Sequence, residues 1–533
     1  MPQLHHNKFK SFYWYLKYRL AQIKISEVFV YGTGLHAQGL TAFLQDENIR
    51  VIGFIDDGLG QNHQNVFESI SIFRTEDVET QPKTIIIASW DYQEVIYKRL
   101  SERKMPETQI FKVFEQVSIQ PDVRVPSFIR IAKIHNRIRS ILYVGDNTDT
   151  PNFGCRATSQ ALYQLLSKAV TVSDKISRNE ILALFEAIPI GEDLLQYFAA
   201  VKKYNDRIFD EIKLRINQVD AIVLNGEGSF IFQSPPRLDM LNYAVIMLAC
   251  IEVGRPFYIL NAMFTPFANE LFNHKLMEAC LPILKAAQVV AVRDPHSAEL
   301  LAQYHEKINI QYVPDALFSW FTFYEENKQV LRGILKNPQW VLPFSELGGY
   351  GCDIDFEKSY ILMSGNSYAA HYPTQAYRSF MQLAEILRDS ARQRNMQFFL
   401  IECCAGDRIL RDIGMQMKIP VIPIETNIRL AGYILGNAAC FVSGRYHPSI
   451  LASLGGTPCV FMGSNSHKTA SLQEVLEIPE NKQIVFNALP DAEESKRIVT
   501  FAETAIDTSD RDAIRNICRK KELLTLQVIA FLK

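Results

Sequence analysis

Short apolar runs alternate along the chain with longer stretches whose apolar positions recur at helical spacing. In the first part of the chain these runs begin at Glu27, Ile49, Lys83 and Gln109. Strands that alternate with helices form a parallel sheet that carries helices on its faces. We therefore predict a small Rossmann-like domain, with a leading helix, in residues 1–118.

The same alternation continues to the C-terminus and predicts two further α/β lobes. The first lobe covers residues 140–335 and the second covers residues 336–510, with a linker at 119–139 and a C-terminal helix at 511–533. The apolar strands of both lobes begin at Ser140, Ala221, Pro256, Gln288, Ile310, Ser359, Gln397, Ile419, Ala439, Pro458 and Gln483. A chain of 533 residues is too long for one core, which agrees with several domains.

Composition excludes several classes of protein. The formal net charge of −2 gives no reason to expect a nucleic-acid partner. The nine cysteines are scattered without a Cys-x-x-Cys pair, so we predict no zinc site and a location in the reducing cytoplasm. No apolar run reaches the ~18 residues that span a bilayer. The N-terminus also lacks the apolar segment of a signal peptide.

Residues 9–25 interleave aromatic and aliphatic side chains with lysine and arginine. One interpretation is a basic amphipathic helix that rests on anionic lipid at the inner face of the membrane. The other is a helix that packs on the next domain with its basic groups in water, and the small number of charges favours it.

A glycine-rich turn follows the first predicted strand. Gly32, Gly34 and Gly39 stand between that strand and a helix, and Asp56 ends the second strand. This is the context of a nucleotide-binding turn with an acidic residue for the ribose. The segment resembles the N-terminal Rossmann domain of sugar O-acyltransferases that bind a nucleotide sugar. The alternative is a module that has the fold without the ligand.

Candidate chemistry concentrates where later strands end. Arg445, Tyr446 and His447 follow the strand at Ala439, within SGRYHPSILASLGGTP. Open α/β sheets bind ligands at the carboxyl ends of their strands. A guanidinium can clamp a phosphate or carboxylate with paired hydrogen bonds, and an imidazole can carry a proton near neutral pH. The pair suggests an anionic substrate whose chemistry needs a proton.

Two motifs of the first lobe also follow the ends of predicted strands. Asn152 and Arg156 lie in NFGCRATS, at a turn into a helix whose first amides can bind anions or sugar hydroxyls. Asn225 and Glu227 lie in LNGEGSF, where glycines let the backbone approach a ligand. The alternatives are an ordinary capped helix start and a simple turn.

Further charged residues follow three other strands. Arg293 and Asp294 end one strand and Asp315 ends the next, while Lys468 follows the Gly-Thr-Pro turn of the second lobe. Arg293 offers a second guanidinium at the sheet edge, and Lys468 could approach a phosphate. The two aspartates could equally be helix caps, and Lys468 could lie in a solvated loop.

Five motifs in order, NFGCRATS, LNGEGSF, VRDPHSAELL, VPDALF and SGRYHPSILASLGGTP, resemble the polysaccharide pyruvyl transferase family over residues 140–480. The resemblance implies two Rossmann-like lobes in a GT-B-like arrangement, with the active site between them. It implies transfer of the enolpyruvyl group of phosphoenolpyruvate onto two sugar hydroxyls as a ketal. It also implies that Arg293, Arg445 and His447 bind phosphoenolpyruvate. Cys155-Arg156 and Tyr446 depart from the usual motifs, which contain an acidic residue and leucine there.

We therefore expect a glycan acceptor, in a cell-surface polysaccharide or its lipid-linked precursor, with phosphoenolpyruvate as co-substrate and no metal or other cofactor. His447 is the expected acid, and Glu227, Asp294 and Asp315 are unranked candidates for the base. The expected substrate-binding residues are Arg293, Arg445, Tyr446, Asn152, Arg156, Asn225 and Lys468. The alternatives are a GT-B-type glycosyltransferase that uses a UDP- or CMP-sugar and a noncatalytic scaffold. The sequence leaves the oligomeric state open.

Overall fold

The computed structural model describes residues 16–57, 66–113, 137–184, 194–336 and 354–533, with short gaps inside the first, second and fourth ranges. Most of the predicted linker, the N-terminal part of the basic segment at 9–25, and Gly34 lie outside the described residues. The chain divides into two compact units, Met1–Val125 with Leu182–Phe209, and Pro126–Ile181 with Asp210–Lys533. The second unit contains both predicted lobes except residues 182–209 of the first lobe.

The N-terminal unit contains a sheet with strand order β3-β4-β2-β1-β5-β6, in which only the β3–β4 pair is antiparallel among the described strands. The strands are β1 (Glu27–Tyr31), β2 (Arg50–Ile55), β3 (Val66–Phe67), β4 (Ile70–Phe73), β5 (Thr84–Ile87) and β6 (Gln109–Lys112), and the helices are α1 (Leu35–Asp46) and α2 (Gln93–Glu102). The parallel strands follow the Rossmann order, as predicted.

The first lobe forms a parallel sheet with the order β12-β11-β10-β9-β7-β8 in its described part. Its strands are β7 (Ser140–Asp146), β8 (Thr171–Ser177), β9 (Ala221–Ile231), β10 (Phe257–Thr265), β11 (Val290–Val292) and β12 (Ile310–Tyr312). Its helices are α3 (Phe153–Ser167), α4 (Arg178–Leu184), α5 (Leu194–Tyr204), α6 (Asp206–Asn217), α7 (Leu238–Val253), α8 (His274–Ala286), α9 (Pro295–Ala302) and α10 (Phe321–Leu335). Helix α5 belongs to the N-terminal unit, although it lies inside the predicted limits of this lobe.

The second lobe has the Rossmann order, β15-β14-β13-β16-β17-β18. Its strands are β13 (Tyr360–Asn366), β14 (Gln397–Ile401), β15 (Val421–Ile422), β16 (Cys440–Gly444), β17 (Cys459–Met462) and β18 (Val485–Phe486). Its helices are α11 (Pro373–Gln393), α12 (Ile409–Met417), α13 (Ile428–Asn437), α14 (Tyr446–Leu454), α15 (Lys468–Val475) and α16 (Ala492–Thr508), followed by the C-terminal helices α17 (Arg511–Thr525) and α18 (Gln527–Ala530).

One hydrophobic core is shared by the two lobes. It joins Trp320 and Tyr324 of the first lobe to Tyr433 and Leu451 of the second, together with Cys518 of α17. The shared burial fixes the lobes against each other, because exposing this apolar surface costs about 25 cal/mol per Å². The C-terminal helix also bonds to the first lobe, where Glu522 accepts the Thr322 amide at 3.1 Å.

The predicted fold class is confirmed: the chain is α/β, with two Rossmann-like lobes in a GT-B-like arrangement and an N-terminal Rossmann-like domain. The first lobe differs in order, since its second strand (β8) lies on the far side of its first (β7), as in flavodoxin-like sheets. Strand β8 and the β3–β4 hairpin are not predicted, because their apolar positions are few. Among the described helices, none is both long and apolar enough to cross a membrane.

Candidate active site

A cavity of about 160 Å³ lies between the two lobes. It opens at the carboxyl ends of β9 in the first lobe and β16 in the second. Each of these strands borders the point where the strand order of its sheet reverses, which is where open α/β sheets bind ligands. Polar and charged side chains dominate the lining: Asn152, Cys155, Arg178, Glu227, Ser229, Arg237, Arg293, Ser367, Arg445, Tyr446, His447, Asn465 and Lys468.

Arg293, Asp315 and His447 form a buried cluster across the lobe boundary. Arg293 Nη1 lies 2.8 Å from His447 Nε2, and both atoms contact Asp315 Oδ2, at 3.1 Å and 3.0 Å. Asp315 caps the turn after β12 by accepting the Leu317 amide, and Thr158 donates to its other oxygen at 2.7 Å. The carboxylate is therefore fixed from several sides, and it fixes the guanidinium and the imidazole in turn.

Charge keeps Asp315 and Arg293 ionised. Burial by itself raises the pKa of the Asp315 carboxyl, but the charge and hydrogen bond of His447, then the charge of Arg293, hold that pKa well below its usual range. Burial also opposes the charge of Arg293, yet Asp315 raises the pKa of the guanidinium above its ordinary value. Removing either partner would leave a buried charge uncompensated.

The two ring nitrogens of His447 have different surroundings. Nε2 contacts Asp315 and Arg293, whereas Nδ1 faces Gly154 near the start of α3. A Cβ on Gly154 would lie 2.6 Å from Nδ1, so a glycine is needed for the ring to approach this helix. Nε2 accepts from Arg293 when it is unprotonated and donates to Asp315 when it is protonated, so Nδ1 is the ring nitrogen that neither of these groups engages.

Arg445 occupies the cap position before α14 and points into the same cavity. Its Nη2 donates to Asp407 at 2.5 Å and its Nη1 to Ser367 Oγ at 3.2 Å. Burial opposes the charge of Arg445, but Asp407 raises the pKa of the guanidinium above its ordinary value. A Cβ on Gly365 would lie 2.2 Å from Asp407 Oδ1, so the end of β13 is shaped around this ion pair.

Lys468 begins α15 on the second-lobe side of the cavity. Its Nζ donates to Ser367 Oγ and to Asn465 Oδ1, both at 2.8 Å. Burial, followed by repulsion from Arg445 and Arg293, lowers the pKa of Lys468 to about 7. The side chain can therefore change its charge near neutral pH.

Glu227 is the carboxylate that faces the cavity from the first lobe. Its backbone is in the left-handed region, with φ 35°, which costs a non-glycine residue on the order of 1–3 kcal/mol. Asn147 and Asn225 donate to Oε1 at 3.0 Å and 3.3 Å. The predicted strand end at NGEG is wrong, because β9 continues through the motif to Ile231 and Glu227 lies within the strand.

The structure separates the three carboxylates that the sequence leaves unranked. Asp294 does not border the cavity; its carboxylate caps α9 through Ser297 and accepts from His467 at 2.9 Å and Ser471 at 3.0 Å. Asp315 lies behind His447 and is fully buried. Only Glu227, among the described carboxylates, lines the cavity.

Three predicted substrate-binding residues have other surroundings than expected. Tyr446 packs its ring against the Arg293 guanidinium, with 4.5 Å from Cζ to the ring centroid, and its hydroxyl is buried. Arg156 donates to the Ile424 carbonyl at 2.6 Å and lines a neighbouring cavity of about 360 Å³. Asn225 is fully buried and bonds to the Gly145 carbonyl at 3.2 Å.

Asn152 caps α3 by accepting the Cys155 amide at 3.1 Å and borders the cavity. Sequence reasoning missed Arg178 and Arg237, which also border it and share Asp239 at 2.6 Å and 2.8 Å. Arg178 follows the unpredicted strand β8, so no strand-end signal marked it. Asp407 was missed as well, since nothing in its sequence neighbourhood indicates the pairing with Arg445.

In the N-terminal domain, the acidic residue of the predicted nucleotide-binding turn bonds to a side chain of the same turn. Gly32 has φ 107°, and the Asp56 carboxylate accepts from the Thr33 hydroxyl at 2.6 Å. Gly39 lies inside α1. A ligand in this domain therefore stays a prediction. Across the part of the chain that the structure describes, no three His, Cys, Asp or Glu side chains are grouped to hold a metal ion.

Comparison with protein families gives two matches. The model described as polysaccharide pyruvyl transferase matches residues 152–466, and the model described as C2185-like, N-terminal, matches residues 24–111. The first match covers more than half of the chain and contains every charged residue of the cavity, except Lys468. No curated protein sequence matches the chain.

Solved structures of low similarity match about three quarters of the chain. UDP-GlcNAc 2-epimerase from Neisseria meningitidis, bound to UDP-GlcNAc, has a TM-score of 0.42 at 13% identity, over 73% of this chain and 100% of its own. UGT2 from Phytolacca americana, complexed with UDP-2fluoro-glucose and pterostilbene, has a TM-score of 0.39 at 10% identity, over 74% of this chain and 94% of its own. Nothing about function follows from scores this low.

Proposed function

Because the chain belongs to the polysaccharide pyruvyl transferase family, we propose that it transfers the enolpyruvyl group of phosphoenolpyruvate to a glycan as a pyruvate ketal. The observation that carries this proposal is the convergence of Arg293 and His447, from opposite lobes, on one carboxylate oxygen of Asp315. Arg445 and Lys468 share the cavity, and Glu227 faces it from the first lobe.

The donor matches the charges of the cavity. Phosphoenolpyruvate carries a phosphate and a carboxylate, and guanidinium groups recognise both by paired hydrogen bonds. Arg445 and Lys468, which meet at Ser367, form the phosphate end of the site. Arg293 lies beside His447 and binds the carboxylate end, next to the carbon that must accept a proton.

The proton donor to carbon is His447 Nδ1. In the protonated imidazole, Nε2 donates to Asp315 and no longer accepts from Arg293. Transfer of the Nδ1 proton to C3 of phosphoenolpyruvate then leaves a neutral imidazole and an electron-poor C2. One sugar hydroxyl attacks C2, the bond from C2 to the phosphate oxygen breaks, and a second hydroxyl closes the ketal. Glu227 accepts a hydroxyl proton, since it is the carboxylate that lines the cavity.

The proposal is tested by incubating the protein with phosphoenolpyruvate, UDP-sugars or CMP-sugars and a panel of glycans. We expect phosphate release that requires both phosphoenolpyruvate and a glycan. Release of UDP or CMP from a nucleotide sugar would replace the proposal by a glycosyltransferase. Absence of turnover and of binding with every donor would instead support a scaffold role.

A further inference from the structure

Lys468 binds the phosphate in the proposed function, but none of the proton transfers above uses it. Its ammonium group and the Arg445 guanidinium donate to the same Ser367 hydroxyl, at 2.8 Å and 3.2 Å. Two cations converge on a neutral oxygen, and no described carboxylate forms an ion pair with Lys468. Asp407 pairs with Arg445 but not with Lys468, so an anion bound at Ser367 would relieve the repulsion between the two cations.

Among the described residues, the groups whose charge acts most strongly on Lys468 come from four elements, while Glu227 and His447 line the same cavity. Arg445 precedes α14 and Arg293 precedes α9, and both carry positive charge. Cys155 of α3 and Cys404, after β14, face it as thiols whose pKa burial raises, so they stay neutral near pH 7. The surroundings therefore hold the ammonium group ready to lose its proton.

We propose that Lys468 is the acid that protonates the departing phosphate. This inference rests on the proposed function. When the bond from C2 to the bridging oxygen breaks, the electron pair stays on that oxygen, which takes the Nζ proton and leaves as hydrogen phosphate. His447 supplies the separate proton that C3 takes. The two sugar hydroxyls release two protons in each turnover, which balance the two consumed, and the neutral amine regains its proton for the next turnover.

The other cations cannot take this role. An arginine side chain does not release a proton under physiological conditions, so Arg293 and Arg445 act by charge alone. The mobile proton of His447 is committed to the carbon. A lysine whose pKa lies near the working pH is a stronger acid than an ordinary lysine, and a large fraction of it is still protonated.

Donor binding must then be linked to proton uptake. In the free protein the pKa of Lys468 is about 7, and a bound phosphate raises it by charge attraction. Below about pH 7 the lysine is already protonated and no uptake is needed. Above that pH each bound donor takes up a proton, so donor affinity falls as the pH rises until the pH passes the pKa of the bound state.

The direct test is titration calorimetry of the full chain with phosphoenolpyruvate at about pH 8, without acceptor, in two buffers that differ in ionisation enthalpy. Lys468→Arg keeps the charge and cannot exchange the proton. We expect the wild type to take up about one proton more than Lys468→Arg, and the exposed-site control Lys496→Arg to match the wild type. Sulfate, which does not titrate in this range, should give the same difference. Equal uptake by Lys468→Arg and the wild type overturns the inference.

Turnover supplies the second readout. Lys468→Arg should bind phosphoenolpyruvate with little loss, while kcat falls on the order of 10²-fold and the part of the alkaline fall of kcat/KM that Lys468 causes near pH 7 disappears. Lys468→Met should lose affinity as well. If the wild type turns over phosphoenolpyruvate and Lys468→Arg keeps its kcat and alkaline limb, only the lysine role fails. If the wild type neither binds nor turns over phosphoenolpyruvate, the proposed function fails and this inference with it.

Discussion

Arg293 Nη1 of the first lobe lies 2.8 Å from His447 Nε2 of the second, and both contact one oxygen of Asp315. This contact exists only when the lobes lie together, so the cluster depends on the core that the two lobes share. Closure of this kind excludes water and assembles reacting groups from separate parts of the chain. The following predictions separate the groups that perform chemistry from those that position them.

Asp315→Asn should keep the side-chain shape and remove the charge that orients His447. We expect kcat to fall at least ~10²-fold, because the Nε2 proton is no longer held in one tautomer. The free energy of unfolding should fall by about 3–5 kcal/mol, since the buried Arg293 loses its partner. Steady-state kinetics and denaturant unfolding measure both. An unchanged kcat would remove Asp315 from the positioning of His447.

Glu227→Gln and Asp294→Asn form a matched pair of carboxylate replacements. The first should lower kcat by ~10²–10⁴-fold, because the base that faces the cavity is lost. The second should leave kcat within a few-fold and lower stability, because Asp294 links α9 to His467 and Ser471 outside the cavity. The reverse ranking in kinetic assays would make Asp294 the base.

Gly154→Ala tests the close approach of His447 to α3. The added Cβ would lie 2.6 Å from Nδ1, so the ring must move and kcat should fall. Gly333→Ala is the control, since a Cβ there meets nothing within 4 Å and alanine favours a helix by roughly 1 kcal/mol. Activity of Gly154→Ala equal to that of Gly333→Ala would contradict the assigned position of the imidazole.

Asp407→Ala leaves the buried Arg445 guanidinium without its carboxylate. We expect the free energy of unfolding to fall by about 3–5 kcal/mol. Added phosphoenolpyruvate should raise the melting temperature of this variant more than that of the wild type, because the anion replaces the missing charge. Thermal unfolding with and without the donor decides this. Equal shifts would show that the donor does not reach Arg445.

The sequence predicts the sheets well because their strands are apolar and buried. It also predicts that Arg293, Arg445 and His447 face one cavity, since the carboxyl ends of parallel strands are where open α/β sheets bind ligands. The partners of these residues lie outside the reach of sequence patterns. Asp407 and Arg445 follow different strands of the second lobe, and they meet only through the packing of that lobe.

Helix caps are the second feature that sequence patterns do not distinguish from site residues. Asp294 and Asp315 occupy similar places after neighbouring strands, and both accept amides at the start of a helical turn. Only the position of the second lobe distinguishes them, because it places His447 against Asp315 and His467 against Asp294. For Tyr446 the sequence predicts a contact with the substrate, whereas the packing of the two lobes places its ring on Arg293.

The central claim is tested most directly with phosphoenolpyruvate that carries one isotope in the pyruvyl carbons and another in the phosphorus. The account predicts that the carbon label enters the glycan and resists mild base, while the phosphorus label leaves as inorganic phosphate in equal amount. Arg445→Ala and His447→Ala should transfer neither label. Phosphorus in the glycan, or carbon transfer that persists without Arg445 and His447, would contradict the account.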